Sequence, residues 1–92
     1  MFDVVVRPGA LRQLKRLRRH DAATILHAME RYLQQEPERT SRSRIKRLRG
    51  SQDATFRLRV GDYRVFYDVA EETVSVVAVF HKRETVTFYS GE

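Results

Sequence analysis

The stretch from Phe56 to Val69 constrains this chain more than any other part of it. Phe56, Leu58 and Val60 alternate with Arg57 and Arg59, and beyond Gly61-Asp62 the residues Tyr63, Val65, Tyr67 and Val69 alternate with Arg64, Phe66 and Asp68. A period of two belongs to strands, because successive side chains point to opposite faces. Gly-Asp between two such runs is a turn signal, so the segment predicts an antiparallel hairpin. A second turn at Ala70-Glu71-Glu72 leads into Thr73–His81, which is apolar at almost every position, as expected for a strand buried on both faces. Two short links between three strands imply an antiparallel meander.

The first half of the chain supplies the cover. Phe2 to Val6 is a β-branched run that reads as a strand, ended by Pro8-Gly9. Proline suits the first turn of a helix, where its missing N–H is not needed. Leu11, Leu14 and Leu17 then recur at helical spacing, with Arg12, Lys15, Arg16 and Arg19 as a basic stripe on another face. His20-Asp21 reads as a tight junction with Asp21 as N-cap. Ala22, Ile25, Leu26, Met29 and Leu33 mark a second helix, which should stop before Pro37. Two helices with so short a link form an αα-hairpin. Pro37 to Gly50 is polar and basic and reads as a linker or loop, anchored by Ile45 and Leu48. The predicted order is β-α-α-β-β-β: an α+β fold in which an antiparallel sheet carries the helical hairpin on one face.

Composition narrows the function. Ninety-two residues make one domain, 1–92. The absence of cysteine excludes a disulfide scaffold, a thiolate zinc site and a cysteine nucleophile, and fits a cytoplasmic location. Three scattered histidines without paired spacing argue against a metal, and no phosphate-binding or nucleophile-elbow motif occurs, so no cofactor is expected. No apolar run approaches the length of a membrane span, and the first residues lack the pattern of a signal peptide. Eighteen Lys and Arg against twelve Asp and Glu give a net charge of +6, which predicts an acidic partner: nucleic acid, an anionic membrane surface or an acidic protein. The charge is uneven. Residues 1–50 hold thirteen basic and five acidic side chains, and residues 51–92 hold five and seven.

Alternation sets Arg57, Arg59 and Arg64 on the sheet face opposite the helices. Polarity leaves the parity of the last strand open, since Val74/Val76/Ala78/Phe80 and Val77/Val79 are both apolar. If Val77 and Val79 share the arginine face, His81 and Arg83 follow, and four arginines and a histidine converge on one concave surface. The plainer alternative is a solvated row of arginines. Arginines beside exposed aromatics, here Phe66, Phe88 and Tyr89, are the composition of a single-stranded RNA site.

Four segments carry a resemblance: Leu48-Arg49-Gly50, Phe56-Arg57-Leu58-Arg59, Asp62 through Asp68, and His81-Lys82-Arg83-Glu84 through Tyr89. In order and spacing they resemble the RelE/ParE superfamily of type II toxins, the RelE branch in particular. The resemblance implies a metal-independent, ribosome-dependent mRNA endonuclease that inhibits translation and is held inactive by an antitoxin in a hetero-oligomer. It further implies attack of a 2′-OH on the adjacent phosphate. Arg64 and Arg83 would stabilise the charge and Tyr89 would stack on or orient the scissile nucleotide. Lys46, Arg49, Arg57, Arg59 and Lys82 would contact RNA. Arg57 and Arg59 stand where the RelE branch often has lysines, and a guanidinium is a poor proton acceptor. His81 is then the candidate general acid or base by intrinsic chemistry, with a structural histidine ending a strand as the alternative. Two other functions fit the same fold: a ParE-like poison of DNA gyrase and a non-catalytic RNA-binding module.

Overall fold

A computed structural model describes residues 1–50 and 54–84. The chain forms β1 (Asp3–Val6), α1 (Pro8–Lys15), α2 (Arg19–Leu33), β2 (Ile45–Arg47), β3 (Phe56–Val60), β4 (Tyr63–Ala70), β5 (Thr73–His81) and a 3-10 turn over Lys82–Glu84. The described strands make one sheet in the order β1-β5-β4-β3-β2. The meander β3-β4-β5 is antiparallel as expected, and the helices lie against one face.

The sheet is mixed rather than purely antiparallel. β1 runs parallel to β5, pairing Val4 with Val74 and Val6 with Val76. Strand direction at a sheet edge depends on how the helical hairpin returns the chain, which no local pattern encodes. The segment read as a loop contains β2, whose Ile45 pairs with Leu58 and Lys46 with Arg57. Three residues are too short a run for alternation to declare itself.

The second helix stops before Pro37 as expected, but the end of α1 and the start of α2 differ from the sequence reading. Pro8 does open α1, but the helix ends at Lys15, so Leu17 packs from the junction beyond it. Leu14 is buried, whereas Leu11 is exposed. The N-cap of α2 is Arg18 and not Asp21, which sits inside the first turn. A carboxylate there still favours the helix dipole, and Asp21 accepts a hydrogen bond from the Tyr63 hydroxyl at 3.2 Å. Ile25, Met29 and Leu33 form the buried stripe of α2, and Leu26 faces outward.

The main core joins Ala10, Leu14, Ile25, Met29 and Leu33 to Phe56, Leu58, Val60, Val65, Tyr67, Val74, Val76 and Val79. Polar groups inside it are satisfied. The Tyr67 hydroxyl donates to the Pro37 carbonyl at 2.6 Å, and its ring stacks on Phe56 at 5.5 Å. Beyond the reach of β1, the Val79 N–H donates to Gln13 Oε1 at 2.6 Å, so α1 completes the edge of β5.

One irregularity decides where the end of β5 points. Phe66 pairs with Ala78 but Tyr67 with Val76, which leaves Val77 as an extra residue. Such a bulge shifts the alternation by one. Val74 and Val76 face the helices before it, and Val79 faces them after it. Neither simple parity of the sequence reading therefore applies along the whole strand.

Candidate RNA-binding face

The face away from the helices gathers cationic side chains from three neighbouring strands. Lys46 on β2 lies opposite Arg57 on β3, and Arg59 on β3 lies opposite Arg64 on β4. Arg57 and Arg59 are two residues apart and so share that face. Cross-strand neighbours stand about 5 Å apart at their Cβ atoms, and like charges placed there repel. The fold thus holds two like-charge pairs side by side.

The four cations differ in exposure. Lys46 and Arg59 are exposed. Arg64 is half-buried and donates from one terminal nitrogen to the carbonyls of Gly61 and Tyr63, both at 3.0 Å. Arg57 is only 8% exposed, and its Nε has no hydrogen-bond partner among the described residues. A buried guanidinium N–H without an acceptor is energetically unfavourable. It is suited to an acceptor brought by a ligand, and phosphate oxygens match guanidinium geometry.

Beside the cations lies a second apolar cluster that sequence reasoning did not anticipate: Leu48, Ala54, Phe66 and Ala78, with Val77 and Phe80 against it. Phe66 is fully buried and meets Phe80 edge-on at 6.0 Å. The expectation of Phe66 as an exposed stacking ring is therefore corrected. The near-continuous apolar character of β5 was the signal, since a strand buried on both faces needs partners on both.

The remaining sequence candidates divide. Arg49 is exposed just past β2. Arg83 is exposed in the 3-10 turn that follows β5. Lys82, also exposed, places its Nζ 3.4 Å from Asp62 Oδ1 and donates its backbone N–H to the Asp62 carbonyl at 2.7 Å. Tyr89 and Phe88 lie outside the described residues.

His81 does not join the arginine face. It pairs with Tyr63, and the two rings meet edge-on at 5.5 Å. It lines a cleft of about 380 Å³ on the helix side with His20, Asp21, Thr24 and Tyr63. The bulge at Val77 is the cause, because it turns Val79, and with it His81, to the helix side. Burial, and next the hydrogen bond to Asp21, push the Tyr63 hydroxyl pKa up. Among the described residues no three His, Asp or Glu side chains gather in an arrangement that could hold a metal. No described helix is long and apolar enough to cross a membrane.

Comparison with known proteins gives consistent results. The model of the ParE toxin of the type II toxin–antitoxin system parDE matches residues 4–86. Among solved structures, the chain is similar to one in the RelBE2 toxin–antitoxin complex of Mycobacterium tuberculosis, with 29% identity and a TM-score of 0.75 over 87% of this chain and 96% of that one. The RelE–RelB complex of Pyrococcus horikoshii contains a chain at 22% identity and TM-score 0.72, covering 90% and 97% of the two chains. The corresponding complex of Methanococcus jannaschii gives 20% and 0.67, covering 92% and 98%. No curated protein matches the chain.

Proposed function

We propose, for a chain that belongs to the RelE/ParE superfamily of type II toxin–antitoxin toxins, that its activity is cleavage of mRNA on the ribosome. The observation that carries this reading is the cationic group Lys46, Arg57, Arg59 and Arg64 on one sheet face, with the buried Arg57 Nε unpartnered among the described residues. Positive charge held in advance near a phosphate is what a phosphorane-like transition state requires.

In this reading a 2′-OH attacks its own 3′ phosphate. The bond to the 5′ oxygen of the next nucleotide breaks, the 2′-OH gives up a proton to solvent and the leaving oxygen takes one up, leaving a 2′,3′-cyclic phosphate and a 5′-OH. Arg57 and Arg64, with Arg83, hold the phosphate oxygens as charge accumulates. Tyr89 stacks on or orients the scissile nucleotide. Lys46, Arg49, Arg59 and Lys82 grip the backbone. The basic stripe of α1 docks on ribosomal RNA, a contact that weakens steeply with salt. The reaction proceeds without a metal, on cytoplasmic ribosomes, and an antitoxin with an acidic segment covers the cationic face. The solved relatives supporting that partner are themselves toxin–antitoxin complexes.

A gyrase-poisoning activity is the second reading, favoured by the ParE description of the matching family model. Primer extension on mRNA from cells expressing the toxin separates the two. Codon-spaced cuts that disappear in Arg64→Ala and Arg83→Ala support the ribonuclease. Intact mRNA with trapped gyrase–DNA complexes supports the other reading.

A further inference from the structure

His81, removed from the arginine face by the bulge, is tied instead to the backbone of Arg83. Its Nδ1 accepts the Arg83 N–H at 3.2 Å, while its own N–H donates to Glu84 Oε1 at 3.1 Å. Together they form a variant of the capping box over His81-Lys82-Arg83-Glu84, in which the imidazole nitrogen accepts from the amide of Arg83 rather than from that of Glu84, whose carboxylate reaches back. The intervening residue is held as well, through the Lys82 N–H on the Asp62 carbonyl at 2.7 Å. A backbone amide can only donate, so Nδ1 bears the lone pair and the neutral ring carries its proton on Nε2. The edge contact with Tyr63 holds the ring in that orientation.

We infer that His81 is a positioning residue: its Nδ1 fixes the backbone of Arg83, and so the origin of the guanidinium, while taking no proton in the reaction. The inference rests on the ribonuclease reading, in which Arg83 holds the scissile phosphate. A long side chain loses less freedom on engaging a phosphate when its backbone is already fixed. The 3-10 turn is only three residues long. Its own backbone bonds are too few to hold it, and the side chains of His81 and Glu84 provide the rest.

The test uses ribosomes programmed with a defined mRNA and the full-length toxin. His81→Ala removes the acceptor. His81→Asn puts an amide oxygen near the position of Nδ1 and cannot shuttle a proton. Expected is a fall of about tenfold in the single-turnover cleavage rate for His81→Ala, with ribosome binding within about twofold. His81→Asn should restore the rate to within about threefold of wild type. The Arg83 amide proton, followed by NMR in the free toxin, should move upfield in His81→Ala and stay in place in His81→Asn. An Asn variant as slow as the Ala variant would instead assign proton transfer to His81 and overturn the inference. A wild-type rate in His81→Ala, or an unmoved Arg83 amide, would overturn it too. A wild type that cuts no mRNA would overturn the ribonuclease reading, and the Arg83 amide would still report whether the box forms.

Discussion

The two faces of the same sheet are built to opposite rules. Toward the helices, β3 and β4 present Phe56, Leu58, Val60, Val65 and Tyr67, all buried in the main core. The polar atom placed there, the Tyr67 hydroxyl, reaches the Pro37 carbonyl. Away from the helices, the intervening residues set Lys46 against Arg57 and Arg59 against Arg64, and bury Arg57 without an acceptor for Nε among the described residues. One face lowers the free energy of the fold. The other does so through the Phe66 cluster alone, and its cationic residues oppose it by repulsion and by an unmet donor. Local departures from stabilising rules concentrate where a protein binds or reacts, and the contrast is the physical ground for proposing this face as the working surface.

Substitutions on the two faces should separate stability from activity. The largest loss of stability is expected at Leu58, fully buried between sheet and helices. Leu58→Ala should lower the unfolding free energy by about 2–5 kcal/mol, read from the urea midpoint. A loss below about 1 kcal/mol would erase the contrast. Next door, Arg57→Met should leave stability unchanged or slightly raised, since replacing a buried charge with an apolar chain is often neutral or stabilising. The same variant should cut mRNA at least about 100-fold more slowly. Destabilisation by Arg57→Met with cleavage intact would reverse the roles of the faces.

Tyr67→Phe removes a buried hydrogen bond and should cost about 1 kcal/mol in the same urea assay. It also carries a pH signature. Burial, and after it the charge of Glu38, raise the Tyr67 pKa above its ordinary value. The stability this group supports is then fully present below its unfolded pKa of about 10 and is lost as pH rises past that point. The Phe variant should lose less stability than wild type between pH 9 and roughly 11. Smallest of all, Arg59→Gln should relieve the pair with Arg64 and raise stability by about 0.2–1 kcal/mol. It should also flatten the salt dependence of RNA binding by about one unit of slope.

Much of this was legible before folding. Strict alternation over Phe56–Val60 and Tyr63–Val69 identified both strands, their turn and the residues of each face, because one face is covered and a one-residue slip would invert every side chain. Elsewhere the pattern was too short or too uniform. β2 has three residues, and its Lys46 joins the cationic group only through pairing with Arg57. β5 is apolar on both sides, so nothing in its composition marks Val77 as the bulge.

The sequence by itself determined the hairpin, the helical cover and the existence of an arginine-bearing face, since each follows from periodicity within one segment. Only the tertiary structure decided that β1 lies parallel to β5, that β2 extends the cationic row, and that His81 turns from that row to cap Arg83. Those outcomes depend on which distant segment supplies each hydrogen-bonding edge, and on a single extra residue whose effect exists only between paired strands.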